Sequence, residues 1–154
     1  MEDDDLEESE EREEFCSPFY LLTGSEPCWK CKLPQNVVGL AARSEDCGED
    51  SEPFVLHEIE TMPDEFLAEI QRLHPQYQWR NSYFANTCQC GAHFGDHYLF
   101  SEPGGAFFPS TEEEAAKIKI QELPFAGTFT FVCNPGYGIG GFILEHGERV
   151  AKPS

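Results

Sequence analysis

Four of the seven cysteines sit in two short runs, Cys28-Trp-Lys-Cys31 and Cys88-Gln-Cys90-Gly91. A spacing of two residues, or of one, lets both sulfurs of a run turn toward the same ion. Two such runs together supply the four thiolates of a closed tetrahedral zinc site. The glycine after Cys90 lets the backbone fold under a metal without a Cβ clash. Bound Zn2+ would in turn hold all four groups as thiolates at neutral pH. A local alternative takes Cys88 and Cys90 with His93 and His97, whose Cys-x-x-His and His-x-x-x-His spacings also suit zinc. A third reading leaves these residues in ordinary turns with no metal. Of the other cysteines, Cys16 and Cys133 lie in apolar stretches and read as core, while Cys47 falls in an acidic loop.

On these two cysteine loops, CWKC and CQCG, the chain resembles zinc-ribbon or treble-clef-like domains, and CWKC followed downstream by CG, GD and PGGAFFP is similar to uncharacterised bacterial proteins. The resemblance implies one structural zinc held by Cys28, Cys31, Cys88 and Cys90. It departs from the usual ribbon in two ways. The second loop is Cys-x-Cys rather than Cys-x-x-Cys, and 56 residues separate Cys31 from Cys88, which implies a large insertion.

Catalytic readings fare less well. Four thiolates leave no open position for water or substrate. A thioredoxin-like redox pair at Cys28 and Cys31 would open a helix, whereas Pro34 follows within three residues. A thiol–imidazole pair drawn from Cys47, Cys133, His57 and His146 carries no local signature. The run Gly136-Tyr-Gly138-Ile-Gly140-Gly141 lacks a nearby lysine and no helix is expected after it, so it reads as a turn between strands rather than a phosphate loop. Trp29 and Trp79 read as packing residues.

The elements that must position the two loops follow from period and punctuation. FCSPFYLLTG (15–24), NVVGLAA (36–42), FVLHEIE (54–60), SYFANT (82–87) and GTFTFVC (127–133) read as strands. TMPDEFLAEIQRLHP has the marks of a helix, with Thr61 as cap, Asp64 completing a capping box and Phe66, Ile70 and Leu73 on one face. STEEEAAKIK (110–119) predicts a second helix, passing into strand at IKIQEL, and FILEHGERV (142–150) predicts a closing strand. The expected fold is therefore α+β: a mainly antiparallel sheet, two helices and a zinc-ribbon-like metal staple over residues 15–154.

Residues 1–14 hold ten acids and one arginine and read as a disordered tail. The whole chain has 29 acids against 10 basic residues, a formal charge of −19, and about −10 remains on the body without the tail. Such a surface repels phosphate backbones, so direct nucleic-acid binding is not expected. It suits a basic protein partner instead, in the manner of inhibitors and nuclease immunity proteins that occupy a nucleic-acid-binding site. The acidic loop supplies candidates for that contact in Glu45, Asp46, Glu49, Asp50 and Glu52, with further acids over 58–69 and at Glu112 to Glu114. No apolar run approaches the ~20 residues of a spanning helix. The acidic start is unlike a secretory signal, and an odd number of cysteines fits a reducing, cytoplasmic setting.

Overall fold

The computed structural model describes residues 12–44, 54–80, 83–92, 94, 99, 106–136 and 139–150. Strands dominate: β1 (Arg12–Pro27), β2 (Pro34–Ser44), β3 (Phe54–Thr61), β4 (Tyr77–Arg80), β5 (Tyr83–Asn86), β6 (Lys119–Glu122), β7 (Thr128–Gly136) and β8 (Glu148–Arg149). Three short helices join them: α1 (Asp64–Leu73), α2 (Glu112–Ala116) and α3 (Ile139–His146). Among the described residues no helix is long and apolar enough to cross a membrane.

Strands β1, β2, β3 and β7 pair antiparallel around a closed ring, β1 to β2, β2 to β3, β3 to β7 and β7 back to β1. This overturns the α+β expectation with its ribbon staple: the chain is a small β-barrel with three helices among the described residues. The antiparallel pairing stands; the closure was not foreseen. Its physical basis is the length of β1. Along one edge β1 pairs with β2 from Phe15 to Pro27. Along the other it meets β7 through Arg12–Cys16 and then β6 through Tyr20–Thr23. The register shifts between Cys16 and Tyr20, and that irregularity lets the strand bend from one neighbour to the next. Arg12 to Glu14, grouped with the acidic tail on composition, are the first residues of β1, while residues 1–11 lie outside the described set.

The runs FYLL, VVGLAA and FVL are continuously apolar because both faces of these strands are covered. Leu21, Val38, Leu40, Ala42 and Leu56 point to one side, where Phe15, Phe19 and Phe131 meet Phe66 and Ile70 of α1. Phe66 sits at the centre of that cluster, 4.8 Å from Phe19, 4.3 Å from Phe125 and 4.9 Å from Phe129 between ring centroids. Leu22, Val37, Ala41 and Val55 point the other way and pack with Phe107, Ile118, Ile120 and Ile143. Cys28 and Cys88 belong to this second cluster, so the cysteine loops are rooted in a core rather than hung from a sheet edge.

Two local expectations change. Thr61 does not cap α1: it ends β3, paired with Val132, and Pro63 takes the N-cap with no side-chain bond. Asp64 and Glu65 still stand in the first turn, where the helix dipole favours them. Thr111 caps α2, accepting from the Glu114 amide. FILEHGERV is not a closing strand but most of α3 followed by the two residues of β8, which runs parallel to β6.

Candidate metal centre

Both cysteine loops are built the same way. Strand β1 ends at Pro27, and the chain turns at once: the Cys28 amide donates to the Leu33 carbonyl and the Lys32 amide to the Cys28 carbonyl, each at 2.9 Å. After β5, the Cys88 amide donates to the Ala92 carbonyl at 2.7 Å and the Gly91 amide to the Cys88 carbonyl at 2.9 Å. In each loop the residue after the second cysteine is left-handed, Lys32 at φ 69° and Gly91 at φ 99°. That conformation reverses the chain and lets the residue that follows bond back to the amide of the first cysteine.

In each loop, too, the first sulfur collects backbone amides. Cys28 Sγ accepts from Lys30 and Cys31 at 3.3 and 3.4 Å, and Cys88 Sγ accepts from Cys90 at 3.4 Å. Across the loops, Cys28 Sγ is 3.7 Å from Cys90 Sγ and Cys31 Sγ is 3.5 Å from Cys88 Sγ. All four sulfurs lie within 4.8 Å of one another. Four sulfurs at the usual Zn–S distance of about 2.3 Å stand about 3.8 Å apart in a regular tetrahedron, so this set has the size for one ion. The separations are far beyond the ~2.0 Å of a disulfide, and all four cysteines are free.

Charge bears on how the group could hold a cation. The Cys28 thiol is lowered to about 6, chiefly by the Cys31 amide, against burial and with help from the Lys30 amide and the Cys88 and Cys90 thiols. Cys88 is pushed up to about 12: the Cys90 amide favours its thiolate, but burial and the thiols of Cys31, Cys90 and Cys28 outweigh that amide. The Cys28 thiolate forms readily, while Cys88 is held in its protonated form. A divalent ion removes the conflict by stabilising all four negative sulfurs together.

Asn86 joins the two halves, and nothing in the sequence marked it. Strand β3 covers β2 only at Leu40–Ala42, which leaves the edge at Val38 without a strand. The buried Asn86 amide fills the place: its Oδ1 accepts from Val38 N–H at 2.8 Å and its Nδ2 donates to the Val38 carbonyl at 3.0 Å. Its own carbonyl accepts from Phe94 at 2.8 Å. The side chain thus mimics one residue of a pairing strand and pins the β5 end, two residues before Cys88, to the strand that leaves the first loop.

The structure brings together Cys28, Cys31, Cys88 and Cys90. His93, His97 and the acids Glu45, Asp46, Glu49, Asp50 and Glu52 lie outside the described residues, as does Cys47. Glu60, Asp64 and Glu65 are exposed, as are Glu112 to Glu114. Cys133 is buried in the first core cluster, as expected, and Cys16 is half-buried. Two readings need correction. A helix, α3, begins inside the glycine run, at Ile139. And Trp29 and Trp79 are not core residues but 62% and 49% exposed, although Trp79 rests edge-on against Phe84 at 5.2 Å. Compared with known proteins, the chain matches no family model, no curated protein and no solved structure.

Proposed function

We propose that Cys28, Cys31, Cys88 and Cys90 hold one zinc ion as a structural staple, and that the barrel is a binding module rather than an enzyme. The observation that carries this is the mutual closeness of the four sulfurs, all within 4.8 Å, on two loops of matching backbone design. Four thiolates favour zinc among common divalent ions. They also close its coordination sphere, which assigns the ion to holding β1, β2 and β5 together rather than to chemistry. The acidic body suits a basic protein partner, as in an inhibitor or immunity protein covering a nucleic-acid-binding surface. A second reading, a zinc-bearing subunit of a larger complex, draws support from the exposed Trp29 and Leu33.

Native mass spectrometry of protein purified without added metal tests the staple. One zinc per chain is expected, with loss of the ion in Cys88→Ser. A fully folded, metal-free wild type would overturn it. For the acidic surface, binding to a lysine-rich protein should weaken steeply as salt rises, and should weaken further when the acids of 45–52 become Asn and Gln. Salt-independent binding would remove the charge argument.

A further inference from the structure

We propose that the outer side of the Cys28–Cys31 loop is a docking site for a protein segment bearing an apolar side chain flanked by carboxylates. The loop sequence is Trp29-Lys30-Cys31-Lys32-Leu33. Its backbone is closed by the Cys28–Leu33 and Lys32–Cys28 hydrogen bonds, and its root, Cys28, is buried in the second core cluster. On this fixed turn Trp29 is 62% and Leu33 61% exposed, two of the three large hydrophobic side chains exposed among the described residues. An exposed indole and an exposed leucine on one turn offer apolar area that a partner would cover.

Charge selects the partner. Residues 27–44 contain no acid and hold Lys30, Lys32 and Arg43, in a chain with 29 acids and 10 basic residues. Lys30 and Lys32 are both exposed and lie between Trp29 and Leu33 in the run. Lys32 also occupies a left-handed position at φ 69°, where the companion loop places Gly91. Its Nζ bends back to donate to the Trp29 backbone carbonyl at 3.0 Å, which ties the ammonium to the loop. A lysine kept where glycine fits without strain points to use of its side chain. The shape matches a short segment with one or two carboxylates beside an aliphatic or aromatic anchor. A nucleic-acid strand fits less well, because its phosphates continue beyond the two lysines onto a body of about −10 net charge. This site is opposite in sign to the acidic surface of the preceding section. It rests on the geometry of the turn, so it can fail while the metal assignment holds.

The test is selection of a displayed random peptide library against the full, metal-loaded chain, followed by anisotropy titrations with the peptides recovered. Peptides carrying Asp or Glu around a large apolar residue are expected. Trp29→Ala should weaken their binding by about thirtyfold, as for the centre of an interface. Leu33→Ser is a second apolar truncation, read in the same way should Trp29→Ala lower the metal content. Lys30→Glu with Lys32→Glu should weaken binding about tenfold and flatten its salt dependence. Lys119→Glu, the same charge change on β6, should leave it intact. Peptides without acids, no recovered peptide, or affinities unmoved by the loop variants would overturn the proposal. So would a thymidine homo-oligonucleotide that binds more tightly than the peptides and is lost with Trp29→Ala, since that reassigns the loop to single strands.

Discussion

The two cysteine loops share a backbone and differ in nearly everything attached to it. The first, PCWKCKL, is one residue longer, carries its left-handed turn on a lysine and lifts Trp29 and Leu33 into solvent. The second, TCQCGA, turns on a glycine and buries Ala92. A metal needs only what the loops have in common: two sulfurs, a reversal, and amides aimed at the first sulfur. The difference is therefore a guide to what the first loop offers beyond its two sulfurs. It also yields measurements that separate shared from private features.

The largest effects should fall on the shared part. Cys28 and Cys88 are buried and accept amide hydrogen bonds, whereas Cys31 is half-buried and Cys90 exposed. Serine at Cys28 or Cys88 should lower zinc affinity by more than about a hundredfold, beyond the loss typical of removing a mere supporting partner. Serine at Cys90 should do less. Competition with a chromophoric chelator reads the order, and equal losses at all four positions would erase the distinction between first and second cysteines.

Next comes the latch. Asn86→Ala removes two hydrogen bonds and leaves the Val38 amide and carbonyl unpaired. A cost of about 2–6 kcal/mol is expected, two buried backbone groups at about 1–3 kcal/mol each. Denaturant unfolding at fixed zinc concentration measures it. Asn86→Asp keeps an acceptor but loses the donor to the Val38 carbonyl, so it should recover little of the loss. A small effect from both would mean that the metal alone holds the loops together.

Smaller still is the exchange of turning residues. At Gly91 an added Cβ would meet nothing within 4 Å, so the penalty of a side chain is purely conformational. Gly91→Lys, which copies the first loop, should cost about 1–2 kcal/mol. Lys32→Gly should relieve similar strain, offset by about 0.5–1 kcal/mol of added chain entropy and by the lost bond to the Trp29 carbonyl. Its expected net change is within about 1 kcal/mol of zero by thermal unfolding. The peptide affinity of the first loop should fall all the same. A variant that binds as before would show that Lys32 is kept for the turn and not for a partner.

How much of this could be read beforehand divides along physical lines. The gathering of the four cysteines was legible because short Cys-x-x-Cys and Cys-x-Cys spacings let both sulfurs of a run turn the same way. Strands were legible where β-rich apolar runs end in turn formers, as at 36–42 and 54–60. Closure of the barrel was not, since it depends on β1 meeting β7 over a hundred residues away. Helix α3 was misread for a narrower reason. Ile139, Phe142, Ile143 and His146 do follow helical spacing, but Gly140 and Gly141 each cost about 1 kcal/mol in a helix and argue for a turn. Packing overrides that cost, with Ile143 buried in the second cluster beside Ile118 and Ile120. The failed Thr61 cap has a similar cause: its pairing with Val132 extends β3 to the threonine. Asn86 gave no signal, because an asparagine after a strand ordinarily marks a turn.

The smallest expected effect concerns acid, and it belongs to the second loop's side of the molecule. His74, at the end of α1, shares a cavity of about 200 Å³ with Asn86 and Gln89, the residue between Cys88 and Cys90. Burial lowers the His74 pKa below its ordinary value. The unfolded chain therefore takes up the imidazole proton at a higher pH than the folded chain does. Above the unfolded value of about 6.5 both states are neutral there and His74 contributes nothing to pH dependence. As pH falls below it, the unfolded state binds more protons and stability drops, until the folded group also titrates. Zinc thiolates are lost to acid as well, so the informative quantity is the difference between wild type and His74→Gln at equal zinc. That difference should open below about pH 6.5 in favour of the glutamine variant and vanish above pH 7.5 or so. Parallel stability curves across the whole range would show that the cavity admits enough water to solvate the imidazolium, and that the second loop is no more acid-sensitive than its sulfurs make it.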